Sequence, residues 1–353
     1  MYTRFFAVAA LLAFLSGAAP AQAQDAAKTA APANDVIKVG IIGLDTSHSP
    51  TFTKIFRDAK PDSELAGIKV VAAYPGGSAD VESSHSRVPG FTKALQDMDV
   101  EIVESIEALL PKVDAILLES VDGRPHLAQA KIVFDANKKA DKKKPMFIDK
   151  PIAASLADTL EIYRLAEESG TPIFSSSSLR FYPGIAAVNN EKTFGDVVGC
   201  VSYGPCSLEQ HHPDLFWYGI HGVEILFTIM GDGCENVQCV ATPSAHVVTG
   251  VWAGDRVGSF RGVRSGKGGY GAIVVGTKNS GPTEERKGGG YGPLLVEIAK
   301  FFRTGKPPIA KETTINLIAF MEAADESKKL GGTSVSIASV MEKAKAAAAK
   351  AAK

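Results

Sequence analysis

The chain has 353 residues, 45% of them hydrophobic and 34 of them glycine, a length and composition that exclude a disordered or fibrous protein and leave room for two domains. Basic residues number 38 and acidic ones 39, interspersed, for a net charge of −1, so no nucleic-acid or membrane-binding surface is expected and the partner is a small molecule.

The N-terminus has the form of an export signal. Arg4 supplies a positive region, Phe5 to Leu15 an apolar run too short to span a bilayer, and Ala21-Gln22-Ala23 a small-x-small cleavage site. The expected organisation is a signal peptide over 1–23, an Ala/Pro/Lys linker over 24–35, and periplasmic or secreted mature protein. With no cysteine before Cys200, no lipid anchor is expected.

Along the mature chain, apolar runs of strand length at Val36–Ile42, Ile68–Ala73, Asp114–Leu118 and Pro145–Ile148 alternate with segments of helical spacing. The helical segments begin at Thr51, span Ile102 to Leu110, and run from His126 to Ala136. This βαβ order predicts a Rossmann-like, doubly wound parallel sheet over 36–151, with the strand ends on one ligand-facing edge. Beyond Lys150 a helix is expected over Ala153–Glu168 and a strand over Pro172–Ser178, ending in serines. Close-spaced β-rich runs follow at Val198–Tyr203, Val237–Thr242, Ala245–Trp252, Gly258–Val263 and Gly269–Thr277. They predict a C-terminal α+β domain over 152–335, with a large, mostly antiparallel open sheet. Helices at His221–Met230 and Leu294–Phe302 are expected to cover one face, and the other face suits a homo-oligomer. An Ala/Lys-rich tail occupies 336–353, and from Glu342 it has helix propensity without an apolar stripe and reads as a frayed or disordered end. Cys200, Cys206, Cys234 and Cys239 are open to two readings, disulfides of an oxidising compartment or buried free thiols.

The first strand runs into Gly43-Leu-Asp-Thr-Ser-His48, where a dinucleotide-binding turn would place its glycines. Gly43 fills the first glycine place, while Asp45 and His48 fill the second and third. A carboxylate at position 45 would face the phosphate that the turn normally cradles. Asp45, Thr46, Ser47 and His48 nonetheless offer backbone N–H groups, hydroxyls and an imidazole at a helix N-terminus. The second strand ends not in the usual carboxylate but in Tyr74-Pro-Gly-Gly-Ser78, where Tyr74 can stack on a base.

Taken together, Val39-Gly-Ile-Ile-Gly43, Asp114-Ala-Ile-Leu-Leu with His126, Phe147-Ile-Asp-Lys-Pro151, Arg180-Phe-Tyr-Pro183, Gly219-Ile-His-Gly-Val-Glu224 and Thr304-Gly-Lys-Pro-Pro308 resemble the ordered motifs of the Gfo/Idh/MocA family. This is the glucose-fructose oxidoreductase and inositol dehydrogenase group. The resemblance covers nearly the whole mature length and implies an NAD(P)-dependent oxidoreductase acting on a sugar, polyol or glycoside. It implies a nucleotide site including Glu119, Ser120, His126, Asp149 and Lys150 beside the glycine turn. Lys150 would stabilise the developing alkoxide and His221 would take the hydroxyl proton. The family's aspartate partner for that histidine is replaced here by Trp217, and Glu224, one turn on, is the expected substitute.

The segment Glu209-Gln-His-His-Pro-Asp-Leu-Phe-Trp-Tyr218 pairs aromatic faces with polar groups, as a sugar pocket requires. Arg180, Tyr182, His211, His212, Trp217 and Tyr218 are the expected substrate contacts. His211, His212, Asp214, His221 and Glu224 could instead gather a divalent metal, but they lack a recognised ligand spacing and no metal site is assigned. Two alternatives therefore stand beside the oxidoreductase: a non-redox carbohydrate-binding protein, and a metal-assisted or acid/base enzyme in the same cleft.

Overall fold

A computed structural model of the chain describes residues 36–190, 193–283 and 289–351. The expected signal peptide and linker lie outside the described residues. From Val36 onward the chain forms one compact unit.

The first half builds β1 (Ile37–Ile42), α1 (His48–Arg57), β2 (Ile68–Tyr74), α2 (Glu82–His85), α3 (Val88–Gln96), β3 (Glu101–Ile102), α4 (Ile106–Leu109), β4 (Ala115–Leu118), α5 (His126–Lys139), β5 (Met146–Ile148), α6 (Leu156–Ser169) and β6 (Ile173–Ser175). The six strands form one parallel sheet in the order β3-β2-β1-β4-β5-β6. Connections leave β1 toward β2 on one side and reach β4 on the other, so the crevice for a ligand opens beyond the carboxyl ends of β1 and β4. All four residues of β4 and all three of β5 are buried, as strands covered on both faces must be. The sheet runs past the boundary expected at 151. Ser155 caps α6 by accepting from the Asp158 N–H, Gly170 ends it in the left-handed conformation, and the chain returns as β6 beside β5. Ile102, expected within a helix, is a strand residue; the helical turn starts at Ile106, behind the Ser105 cap.

The second half adds α7 (Pro183–Asn190), β7 (Val197–Pro205), α8 (Ile220–Met230), β8 (Cys234–Thr242), β9 (Ala245–Trp252), β10 (Arg256–Val263), β11 (Gly271–Gly276), β12 (Ser280–Pro282), α9 (Gly292–Thr304), α10 (Lys311–Lys329), β13 (Val335–Ser336) and α11 (Ile337–Ala351). Its seven strands order as β12-β11-β7-β10-β9-β8-β13, antiparallel throughout except for the β7–β10 pair. Helices α8 and α10 cover one face. The other face presents Val201, Tyr203, Val240, Val251, Val257, Ile273 and Val275 to solvent.

Three expectations change here. Helix α9 does not cover the antiparallel sheet: its stripe of Leu294, Leu295, Ile298, Phe301 and Phe302 packs with Phe52, Phe56, Phe147 and Phe174 on the parallel sheet. From Glu342 the tail is not frayed, because α11 runs on to Ala351 and lies against α6 and α10, burying Ile337, Val340 and Ala344. Those residues are seven apart with Val340 between them, a stripe that the surrounding alanines hide. Finally, all four cysteines are free and buried, and burial pushes Cys200 and Cys234 up to about 12 and Cys206 and Cys239 to about 11. Strands β10 and β9 separate β7 from β8, which puts Cys200 roughly 14 Å from β8, beyond disulfide reach.

Candidate active site at the carboxyl edge of the parallel sheet

The β1 turn is built for close approach. Gly43 has φ +96°, and a Cβ there would lie 2.5 Å from the Ser120 nitrogen beyond β4, so only glycine lets the two strand ends meet. Ser49 Oγ donates to the Gly43 carbonyl at 2.9 Å and fixes α1 to the turn. Asp45 does not face outward as expected. It is fully buried and turned inward: Val121 N–H donates to Oδ1 at 3.0 Å and Ser84 Oγ donates to Oδ2 at 2.7 Å. Burial raises its pKa in spite of these bonds. The carboxylate thus ties β1 to the β4 loop and to α2. The N-cap residue of α1, Ser47, is exposed and makes no side-chain cap bond. Thr46 Oγ1 accepts from the His48 N–H at 3.4 Å, and the rest of that N-terminus, together with the glycine at 43, fits the pyrophosphate of a dinucleotide.

His126 is a structural tie. Its Nε2 lies 2.8 Å from the Ser120 carbonyl oxygen and its Nδ1 3.2 Å from that of Ile152, and burial lowers its pKa. Ser120 Oγ donates to Gln129 Oε1 at 3.0 Å, while the half-buried Tyr74 stands at the end of β2.

Beyond β4 and β5 four ionisable side chains converge: His48 at the start of α1, Glu119 after β4, and Asp149 and Lys150 after β5. His48 Nδ1 lies 3.0 Å from Asp149 Oδ2 and 3.5 Å from Glu119 Oε2, and Lys150 Nζ lies 3.3 Å from Asp149 Oδ2. Burial pushes Glu119 up to about 7. Burial alone would lower His48 and Lys150, but the Asp149 carboxylate prevails in both, raising His48 to about 9 and Lys150 above its usual value. Asp149 itself is held well below the carboxylate range, because His48 and Lys150 outweigh its burial. The Tyr291 ring packs edge-on to His48 at 4.8 Å and closes the site from the segment before α9.

His221, on the first turn of α8, faces the same group. Ser177 Oγ lies 2.7 Å from its Nδ1, and desolvation, then the Lys150 charge, push its pKa down to about 3. Glu224 does not orient this ring as expected. It pairs with Arg180 Nε and accepts from Ser176 Oγ at 3.3 Å, which pins the serine-rich loop after β6. Arg180 is therefore committed to Glu224. Lys150, Arg180 and Glu224 line a small cavity with Ile152, Ser175 and Ile220.

The expected substrate segment spans the cleft mouth. His212 Nε2 lies 2.9 Å from Asp122 Oδ1 and its Nδ1 2.6 Å from Glu209 Oε2, with both the His212 and Asp122 side chains out of solvent. Asp122 also receives Ser78 Oγ at 2.6 Å and the Arg124 guanidinium, and is held far below its ordinary pKa. His211 pairs with Glu209, and Trp217 packs on His212 at 4.9 Å. Tyr218 is exposed, 6.0 Å from His221 between ring centres; Tyr182 is half-buried. The metal set considered from sequence is dispersed, since Asp214 pairs with His246 at 2.8 Å and with Lys328, while Glu224 holds Arg180. Sequence reasoning missed Ser177, Asp122 and Tyr291. Only the run of serines ending β6 signalled the first of them.

Residues 37–176 match the sequence model of the GFO_IDH_MocA oxidoreductase family, an NAD-binding Rossmann fold. A comparison with curated proteins finds no match. Among solved structures the chain is similar to scyllo-inositol dehydrogenase from Lactobacillus casei with bound NAD(H) and scyllo-inositol, at 15% identity and TM-score 0.68 over 86% of this chain and 100% of that one. It is also similar to an oxidoreductase from Agrobacterium radiobacter in complex with NAD+, L-tartaric acid and magnesium, at 16% identity and TM-score 0.67 over 86% and 99%. A probable dehydrogenase from Thermotoga maritima matches at 18% identity and TM-score 0.66 over 86% and 100%. At these identities the likeness is one of fold. The family match over residues 37–176 covers the Rossmann domain that holds the β1 turn and Lys150, and the solved structures extend the likeness in fold across the second half.

Proposed function

We propose that the protein is an NAD-dependent oxidoreductase that oxidises a secondary hydroxyl of a polyol or sugar. The observation that carries this reading is Lys150, which follows β5 within the family-matched segment, at the sheet's carboxyl edge, and shares a cavity with Arg180 and Glu224. When bound, NAD supplies the hydride acceptor. Lys150, held protonated by Asp149, binds the substrate oxygen and stabilises negative charge as it develops there. His221 is neutral above about pH 3, and donation of its Nδ1–H to Ser177 Oγ leaves the Nε2 lone pair free. Such a weak base suffices, because a hydroxyl losing hydride from its carbon becomes strongly acidic. Ring faces of Trp217 and Tyr218 at the cleft mouth suit the C–H surface of a cyclic polyol. The polyol class is supported by the inositol bound to the Lactobacillus casei relative.

The signal-like N-terminus supports export to a periplasm. The apolar open face of the seven-stranded sheet supports a homo-oligomer. Among the described residues no helix is long and apolar enough to cross a membrane.

Purified protein is denatured and the released small molecules are analysed for NAD(H); NADH formation is then followed optically over a panel of inositols and aldoses. Released or tightly binding NAD with turnover that collapses in Lys150→Met supports the reading. Neither released nucleotide nor binding of added NAD overturns it.

A further inference from the structure

His48, Glu119 and Asp149 come from three separate elements, the start of α1 and the ends of β4 and β5, and their ligating atoms all lie within 4.8 Å of one another. The Glu119 and Asp149 side chains are out of solvent and that of His48 is 10% exposed. Buried acids this close to an imidazole ordinarily turn toward it and hydrogen-bond. Here His48 Nδ1, both Glu119 oxygens and both Asp149 oxygens have no aligned hydrogen-bond partner. The contacts at 3.0 and 3.5 Å therefore fall outside hydrogen-bond geometry and leave the donor atoms of all three residues available to one ion. Bonds of about 2.0–2.1 Å to one ion separate neighbouring ligand atoms by about 3.0–3.4 Å, close to the two His48 contacts at 3.0 and 3.5 Å.

We infer that His48, Glu119 and Asp149 form a divalent metal site at the carboxyl edge of the parallel sheet. One imidazole nitrogen and two carboxylates suit a first-row ion of the Mn2+, Fe2+ or Zn2+ kind, whereas Ca2+ takes six to eight oxygen ligands. Three protein ligands leave coordination positions open toward the cleft that Lys150 and His221 line. A bound hydroxyl or carboxylate of the substrate could complete the shell, so the site would select substrates carrying two adjacent oxygen donors.

The test uses the protein stripped with chelator and loaded with MnCl2 or ZnCl2 in the absence of nucleotide, so that its outcome is separate from that of the redox reading. Equilibrium dialysis is expected to give one ion per chain, with affinity falling at least tenfold in Glu119→Gln and in Asp149→Asn and unchanged in His85→Ala. Pulsed electron paramagnetic resonance of the Mn2+ form is expected to show coupling to one imidazole nitrogen, a readout that needs no variant. No uptake of either ion at millimolar concentration overturns the site and leaves a metal-free ion cluster only. Uptake without nitrogen coupling, or uptake unaltered in both folded carboxylate variants, overturns it equally.

Discussion

Replacing Asp45 with glycine restores the second position of a dinucleotide-binding turn and so separates two views of this residue. In the structure its carboxylate accepts from Val121 N–H at 3.0 Å and from Ser84 Oγ at 2.7 Å, wholly out of solvent. Hydrogen bonds to a charged group contribute about 1.5–3 kcal/mol each, and the burial cost that raises the Asp45 pKa offsets part of their sum. A net loss of about 2–3 kcal/mol at neutral pH follows for Asp45→Gly, or a fall of about 4–6 °C in Tm for a chain of this size. Because the folded pKa lies above 3.8, the wild-type advantage is fullest in acid and shrinks as pH rises through that pKa. Asp45→Asn, which keeps an acceptor for Val121, should lose about half as much. Thermal melts and NAD titration calorimetry on the same samples measure both effects. An unchanged Tm with at least tenfold tighter NAD binding would refute the reasoning, since it would mean that the carboxylate faces the phosphate after all.

Lys150→Met should lower kcat by about 10²–10⁴-fold in NADH-formation assays and should also lower Tm by several degrees, because Asp149 loses a buried partner. The pH profile of kcat/KM should lack an acid limb near 6.5, because desolvation and Lys150 keep His221 neutral down to about pH 3; such a limb, removed by His221→Gln, would contradict the assigned environment. Asp325, pushed up to about 7 by burial and by Asp214, contributes stability below 3.8 that is lost as pH rises to 7. Asp325→Asn should therefore melt above wild type at pH 8 but not at pH 4, by about 2–4 kcal/mol in chemical denaturation. Val257→Glu combined with Ile273→Glu, both on the open sheet face, should reduce the mass in light scattering to that of a monomer.

The parallel sheet was legible because its strands are buried on both faces and read as unbroken apolar runs, of which Ala115–Leu118 is typical. Helical periodicity marked the segment that became α9, yet a stripe does not say which of two sheets it will cover, and five large apolar residues fit the parallel sheet. Helices α2 and α3 escaped notice because α2 is a single turn with two serines and α3 opens on Val-Pro-Gly, which reads as a turn, while Ser84 inside α2 holds Asp45. The strand-end residues His48, Glu119, Asp149 and Lys150 were legible as positions, since a parallel sheet delivers its strand ends to one edge. Their partners were not. Ser177 is 44 residues from His221 and Asp122 is 90 from His212, separations at which only the fold decides who meets whom.

The charge inventory at the sheet edge explains why those positions act as a unit. His48 and Lys150 supply two positive charges and Glu119 and Asp149 two negative ones, all nearly out of water. Removing one member strands its neighbour as an unpaired buried charge, which costs about 3–5 kcal/mol and far exceeds the value of any single pair. A divalent ion held by the inferred His48, Glu119 and Asp149 set would change the balance: it would keep Glu119 ionised, although burial otherwise pushes that carboxyl up to about 7, and it would take the place of the proton on His48. The same ion would repel the Lys150 ammonium and weaken its hold on Asp149, so occupancy of the inferred site and the position of Lys150 would be coupled through Asp149, which contacts both His48 and Lys150.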